Sequence, residues 1–197
     1  MKKLIYKSIL AGLLIAIAGS LFLQCENKIV GSILFSLGLI SVILGEANLY
    51  TGKIGYVNSR EEIVSLLVML SINILTAFIV GLFYRVCVGF TLAVDSRLVK
   101  EWYRILWDST ICGACVFLAV DLYRRTKNIF TIVLPVMAFI LTGGEHCIAY
   151  AFYLGTSTTS LKAIGYLVLM IMGNSIGAII LKRLMYVINK GEVRLNG

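Results

Sequence analysis

Apolar residues run along this chain in stretches of about 18–25, the length at which a helix crosses ~30 Å of hydrocarbon. Short polar or glycine-bearing segments separate them. Six runs emerge, at about 5–23, 29–57, 62–86, 102–122, 128–154 and 162–186. The period-two alternation of a membrane barrel is absent, so the pattern predicts helices. The second and fifth runs are too long and too rich in glycine and polar residues to be simple rods. Gly45-Glu46-Ala47-Asn48 interrupts one, and Thr142-Gly143-Gly144-Glu145-His146 interrupts the other. Backbone can break at membrane depth only where protein or a watery cavity satisfies it. Two broken helices therefore point to a site between them.

Composition agrees. Of 197 residues, 59% are hydrophobic and 14% charged, and the mean hydropathy is +0.94. A soluble domain of this size has too much surface to cover with so few charges. The length suits a single channel domain over residues 1–197, with one three-span unit at about 5–86 and another at about 102–186. One proline, Pro135, fits long helices.

The net charge of +8 does not point to nucleic acid, because Lys and Arg sit between the apolar runs and at the chain ends. Lys2, Lys3, Lys7, Lys53, Arg60, Arg124, Arg125, Lys127, Lys182, Arg183, Lys190 and Arg194 fall on the side of the termini. Only Lys28, Arg85, Arg97, Lys100, Arg104 and Lys162 fall on the other. The bias predicts a multi-pass protein of the plasma or inner membrane with both termini cytoplasmic. Residues 1–23 look like a signal peptide but lack a clear cleavage site, so they read as the first span. Cys112-Gly-Ala-Cys115 lies inside an apolar run with no other ligands nearby, which favours helix packing over a metal. No cofactor, metal or nucleic-acid partner is implied; the partners are the bilayer and a small solute.

The halves repeat. Gly45-Glu46 matches Gly144-Glu145, and Asn73-Ile-Leu-Thr-Ala77 echoes Asn174-Ser-Ile-Gly-Ala178. Three spans per half is an odd number, so the second copy must enter the membrane upside down. The expected fold class is an all-α membrane protein with six transmembrane helices as a 3+3 inverted repeat.

At these residues the chain resembles the formate/nitrite transporter family, with its aquaporin-like fold and homopentamers carrying one pore per protomer. Phe35-Ser-Leu-Gly-Leu-Ile40 and Gly45-Glu-Ala-Asn-Leu-Tyr-Thr51-Gly52 are similar to the family's second-helix motif. Val133-Leu-Pro-Val-Met-Ala-Phe139 and Gly144-Glu-His-Cys-Ile-Ala149 resemble the fifth-helix motif. The resemblance implies that Thr51 lies on a pore loop and that Leu39 and Leu49 narrow the cytoplasmic side. Phe35 would narrow the outer side, Phe139 would be a second constriction residue, and His146 would be the central histidine. Asn174, flanked by Gly173 and Gly177, fits the sixth-helix pattern. There are departures. Glu46 stands for a small residue, Asn48 for an acid, and Gly113 for an asparagine. The vestibular lysine has Arg97 or Lys100 as an approximate counterpart.

Several residues could carry chemistry. His146 is the only histidine, and an ionisable group inside a membrane is a functional candidate, here a possible proton relay. Glu46 shares a helical spacing with Phe35 and Leu39, which would put it on the pore lining. Alternatively it caps the following half-helix. Glu145 reads as a hydrogen-bond partner of backbone. Arg104 and Asp108 are spaced to pair, or Asp108 helps form a cation-attracting vestibule with Arg97 and Lys100 nearby. Trp102, Tyr103, Trp107 and Tyr123 read as interfacial anchors.

A carboxylate on the lining leads to a channel for ammonium or ammonia. The alternative is a formate, nitrite or hydrosulfide channel. A membrane sensor or scaffold is a third reading, and an enzyme finds no nucleophile or metal set.

Overall fold

The computed structural model describes residues 1–157 and 159–195, with side chains as far as residue 188. Lys190 and Arg194, two of the cations counted above, lie outside the described side chains.

The first half begins with α1 (Lys2–Gln24) and α2 (Lys28–Leu44). After a break come the short α3 (Tyr50–Lys53), a 3-10 turn (Ile54–Tyr56) and α4 (Arg60–Cys87). A link holding α5 (Asp95–Leu98) leads to α6 (Trp102–Thr126), α7 (Phe130–Leu141), α8 (Cys147–Thr156) and α9 (Leu161–Leu195). Among the described residues α1, α4, α6 and α9 are long and apolar enough to cross a membrane. The run at 29–57 is divided into α2, α3 and the turn, and that at 128–154 into α7 and α8.

Local chemistry sets these boundaries. Asn27 starts α2 by accepting from the Ile29 and Val30 N–H groups. Ser59 and Glu62 form a reciprocal capping box on α4. α2 ends at Gly45, and Glu46 then turns the chain with φ 49°. Gly143, at φ 85°, makes the matching turn after α7.

α1 packs on α2 and α4, α4 on α8, α6 on α7 and α9, and α2 on α7. Gly12, Ile15 and Gly19 of α1 are buried, which makes α1 part of the core. The α6–α9 crossing is close because Gly113 lies against the Asn174 backbone and Gly177 against the Thr110 carbonyl; a Cβ on either would overlap it. An asparagine therefore has no room at position 113. Gly113→Asn, the residue usual in the family, is expected to cost at least the ~1–3 kcal/mol of core overpacking. A melting temperature in detergent equal to wild type would contradict this.

Apolar side chains remain exposed along α4 (Ile63, Val64, Leu67) and α9 (Ile164, Val168, Met172), a surface suited to lipid or to further copies. Trp102, Tyr103 and Trp107 are exposed at the start of α6.

Candidate functional site

Two buried asparagines hold the breaks. Asn73 donates from Nδ2 to the Ser8 and Asn48 carbonyls at 2.7 and 3.0 Å, and its Oδ1 accepts from Tyr50 N–H at 2.9 Å. Asn174 does the same in the other half. It donates to the Ser109 and Glu145 carbonyls at 2.7 and 2.9 Å and accepts from Cys147 N–H at 2.9 Å. Each amide thus satisfies orphan backbone groups where a half-helix starts, the task that water performs at a surface.

These bonds fix which residues correspond. Asn48 stands where Glu145 stands, Leu49 where His146 stands, and Glu46 where Gly143 stands. The sequence match of Gly45-Glu46 with Gly144-Glu145 is therefore two residues out of register. It followed residue identity, whereas the asparagine bonds set the backbone register.

At the centre Thr51 Oγ1 lies 2.9 Å from His146 Nε2. His146 also caps α8, its Nδ1 accepting from Ala149 N–H at 3.3 Å. An accepting Nδ1 carries no proton, so in the neutral ring the proton is on Nε2 and is donated to Thr51. The Thr51 hydroxyl hydrogen is then free for another acceptor. Phe35 and Phe139 meet edge to face at 6.2 Å, and Phe139 stacks on His146 at 6.5 Å. Leu39 and Leu49 are buried as well.

A cavity of about 70 Å³ reaches this centre past Phe35, Phe139 and His146. A second, of about 420 Å³, reaches it past Leu39, Leu49 and Gly52. His146 lines the first cavity, and its partner Thr51 is buried next to Gly52, which lines the second. Phe35, Leu39, Leu49, Thr51, Phe139 and His146 are thus brought together, with Asn174 bracing α8 behind them. Asn48 stands aside, its Oδ1 accepting from Lys53 Nζ at 2.6 Å.

The carboxylates lie otherwise than the spacing suggested. Glu46 does not share the face of Phe35 and Leu39, because the helix ends at Leu44 before reaching it. Its side chain is 82% exposed and pairs with Lys7 at 3.0 Å on the rim of the larger cavity. Nor does it cap α3, whose Tyr50 N–H is taken by Asn73. Asp108 is 3% exposed and bonded by Arg104 at 2.8 Å and Lys100 at 3.0 Å, so it offers no free charge to a cation. Glu145 is 5% exposed and takes Arg97 at 2.7 Å and Lys100 at 3.1 Å rather than backbone N–H groups. Arg97 also lies over the Tyr153 ring at 4.9 Å. Arg97 and Glu145 line the wall beside His146 and are tied through Lys100 to Asp108 and Arg104.

The pattern did not mark Lys53, nor the bracing role of Asn73. An asparagine inside an apolar run opposite a helix break was the available signal for the latter.

The fold and this centre are those of a multi-pass membrane channel. The family model for "Formate/nitrite transporter" matches residues 1–188. The chain belongs to the formate/nitrite transporter family. It is 27% identical over 190 residues to "Uncharacterized transporter YrhG" of Bacillus subtilis, covering 82% of this chain and 71% of that protein. It is 24% identical over 149 residues to "Formate channel FocA" of Haemophilus influenzae, covering 64% and 52% respectively. Among solved structures, an "FNT family ion channel" superposes with TM-score 0.80 at 19% identity, over 94% of this chain and 88% of that one. A "Pentameric formate channel with formate bound" gives 0.74 at 18% identity, over 98% and 97%.

Proposed function

We propose that this protein passes a small monovalent weak-acid anion of the formate or nitrite kind, and that ammonium is not its main solute. The Thr51–His146 bond carries the reading. A hydroxyl whose oxygen accepts from Nε2–H keeps its own hydrogen available to another acceptor. A carboxylate or nitrite oxygen is such an acceptor, whereas ammonium needs acceptors in the wall. The lining carboxylate on which the ammonium reading rested is absent from this centre: Glu46 is exposed and paired with Lys7. The formate channel names among the relatives support the same ordering.

Phe35 and Phe139 on one side of the pair and Leu39 and Leu49 on the other are apolar, so a bare ion pays a large desolvation cost in passing them while a protonated acid does not. A solute that gains a proton in the outer cavity and bonds to Thr51 in passing fits both facts. For His146 itself to relay the proton, Nδ1 would have to leave the Ala149 N–H.

The solved pentameric channel and the exposed apolar faces support a homopentamer, and the charge bias supports cytoplasmic termini. Native mass measurement in mild detergent is expected to give five copies; a monomer would contradict this. Labelling of a terminus from outside intact cells would contradict the orientation.

Glu46→Gln tests the discarded ammonium reading. For an exposed ion pair the expected change in formate-to-ammonium selectivity and in melting temperature is small. A tenfold loss of ammonium flux would restore the carboxylate to the pore.

A further inference from the structure

The two cavities flanking the centre are built unalike. On the His146 side Arg97 and Glu145 share the wall and pair with each other. On the Leu49 side the described residues of the wall hold Lys7, Lys53, Arg124 and Lys127 against one carboxylate, Glu46. The difference traces to the register of the halves. Where Glu145 draws in two cations, the neutral Asn48 gives Lys53 a hydrogen bond and no charge.

Aromatic rings hold the remaining cations without neutralising them. Arg124 lies over Tyr56 at 4.2 Å and Lys127 over Tyr123 at 5.7 Å. Asp121, the nearest other acid on α6, is outside this wall and is taken by Arg125 at 2.8 Å and the Tyr56 hydroxyl at 3.0 Å.

Attraction to such a wall grows with the charge of the ligand. A monovalent anion is held loosely and moves on. A multivalent one is held tightly, and the buried Leu39 and Leu49 beyond it oppose its dehydration. The volume of about 420 Å³ admits a phosphate ester or pyrophosphate, which the cavity of about 70 Å³ does not.

We propose that the wider mouth is a binding site for a multivalent oxyanion of the phosphate-ester or pyrophosphate class, whose occupancy blocks the pore from that side. The block rests on the solute path described above; the binding does not.

Pyrophosphate is the probe. Calorimetry on the purified protein in neutral detergent at fixed ionic strength is expected to show binding to wild type. Arg124→Gln with Lys127→Asn should weaken it at least tenfold; asparagine suits the left-handed backbone at position 127. Arg124→Lys, which keeps the charge, should retain binding. Glu46→Gln, which removes the carboxylate among the described lining residues, should tighten it several-fold. In vesicles of neutral phosphatidylcholine with one protein orientation, pyrophosphate on the Lys7 side should cut solute flux at least fivefold, and on the other side leave it unchanged.

Absent binding, affinity indifferent to the double variant or to Glu46→Gln, or inhibition reproduced by chloride at equal ionic strength would overturn the proposal. So would equal inhibition from both faces, or binding that leaves flux intact. A protein that conducts no formate before pyrophosphate is added contradicts the proposed solute, while the calorimetry still decides the site.

Discussion

Thr51→Val keeps the shape of the side chain and removes its hydroxyl, and formate flux through the reconstituted protein is expected to fall about tenfold or more. That is a loss of roughly 1.4 kcal/mol, the size of one hydrogen bond made where no water can replace it. His146 needs a subtler pair of variants, because it both meets Thr51 and caps α8. His146→Ala should lower flux and also melting temperature, by the ~0.5–2 kcal/mol of a lost cap. His146→Asn, a good capping residue, should recover the stability and not the flux. Wild-type flux in both Thr51→Val and His146→Asn would mean that the central pair only packs.

Asn174→Ala is expected to be the most damaging single change to the fold. It removes the partners of Cys147 N–H and of the Glu145 carbonyl, and the tie to the Ser109 carbonyl of α6. Each buried group left unpaired costs about 1–3 kcal/mol, so the total reaches several. Asn73→Ala should do the same to the first half, leaving Tyr50 N–H and the Asn48 carbonyl without it and cutting the tie to the Ser8 carbonyl of α1. Melting temperatures in detergent should drop further for these two than for Thr51→Val or Glu46→Gln. Either variant melting like wild type would show that the breaks are held by something else.

The six apolar runs were legible because a bilayer imposes length and hydropathy on whatever crosses it. The same pressure made the breaks legible, since glycine and polar residues have no other reason to interrupt an apolar run. Side-chain placement inside the breaks was not. Glu46 looked pore-facing because a helical spacing was carried past Leu44, where the helix has already ended. The pairing of Asp108 with Arg104 was readable from an i,i+4 spacing, but Lys100 bridging Asp108 to Glu145 joins elements distant in sequence. His146 as a helix cap was hidden too, because its ring nitrogen takes a role more often filled by Ser, Thr, Asp or Asn. The ammonium expectation falls with Glu46, because it rests on one carboxylate whose position depends on a break.

The central claim, that the pore serves a weak-acid anion, is tested most directly by flux into proteoliposomes measured in parallel for formate, nitrite and ammonium against empty vesicles. The expected result is rapid formate or nitrite entry that Thr51→Val suppresses, with ammonium uptake no faster than in vesicles lacking protein. Ammonium uptake well above that background, with formate and nitrite excluded, would contradict the account.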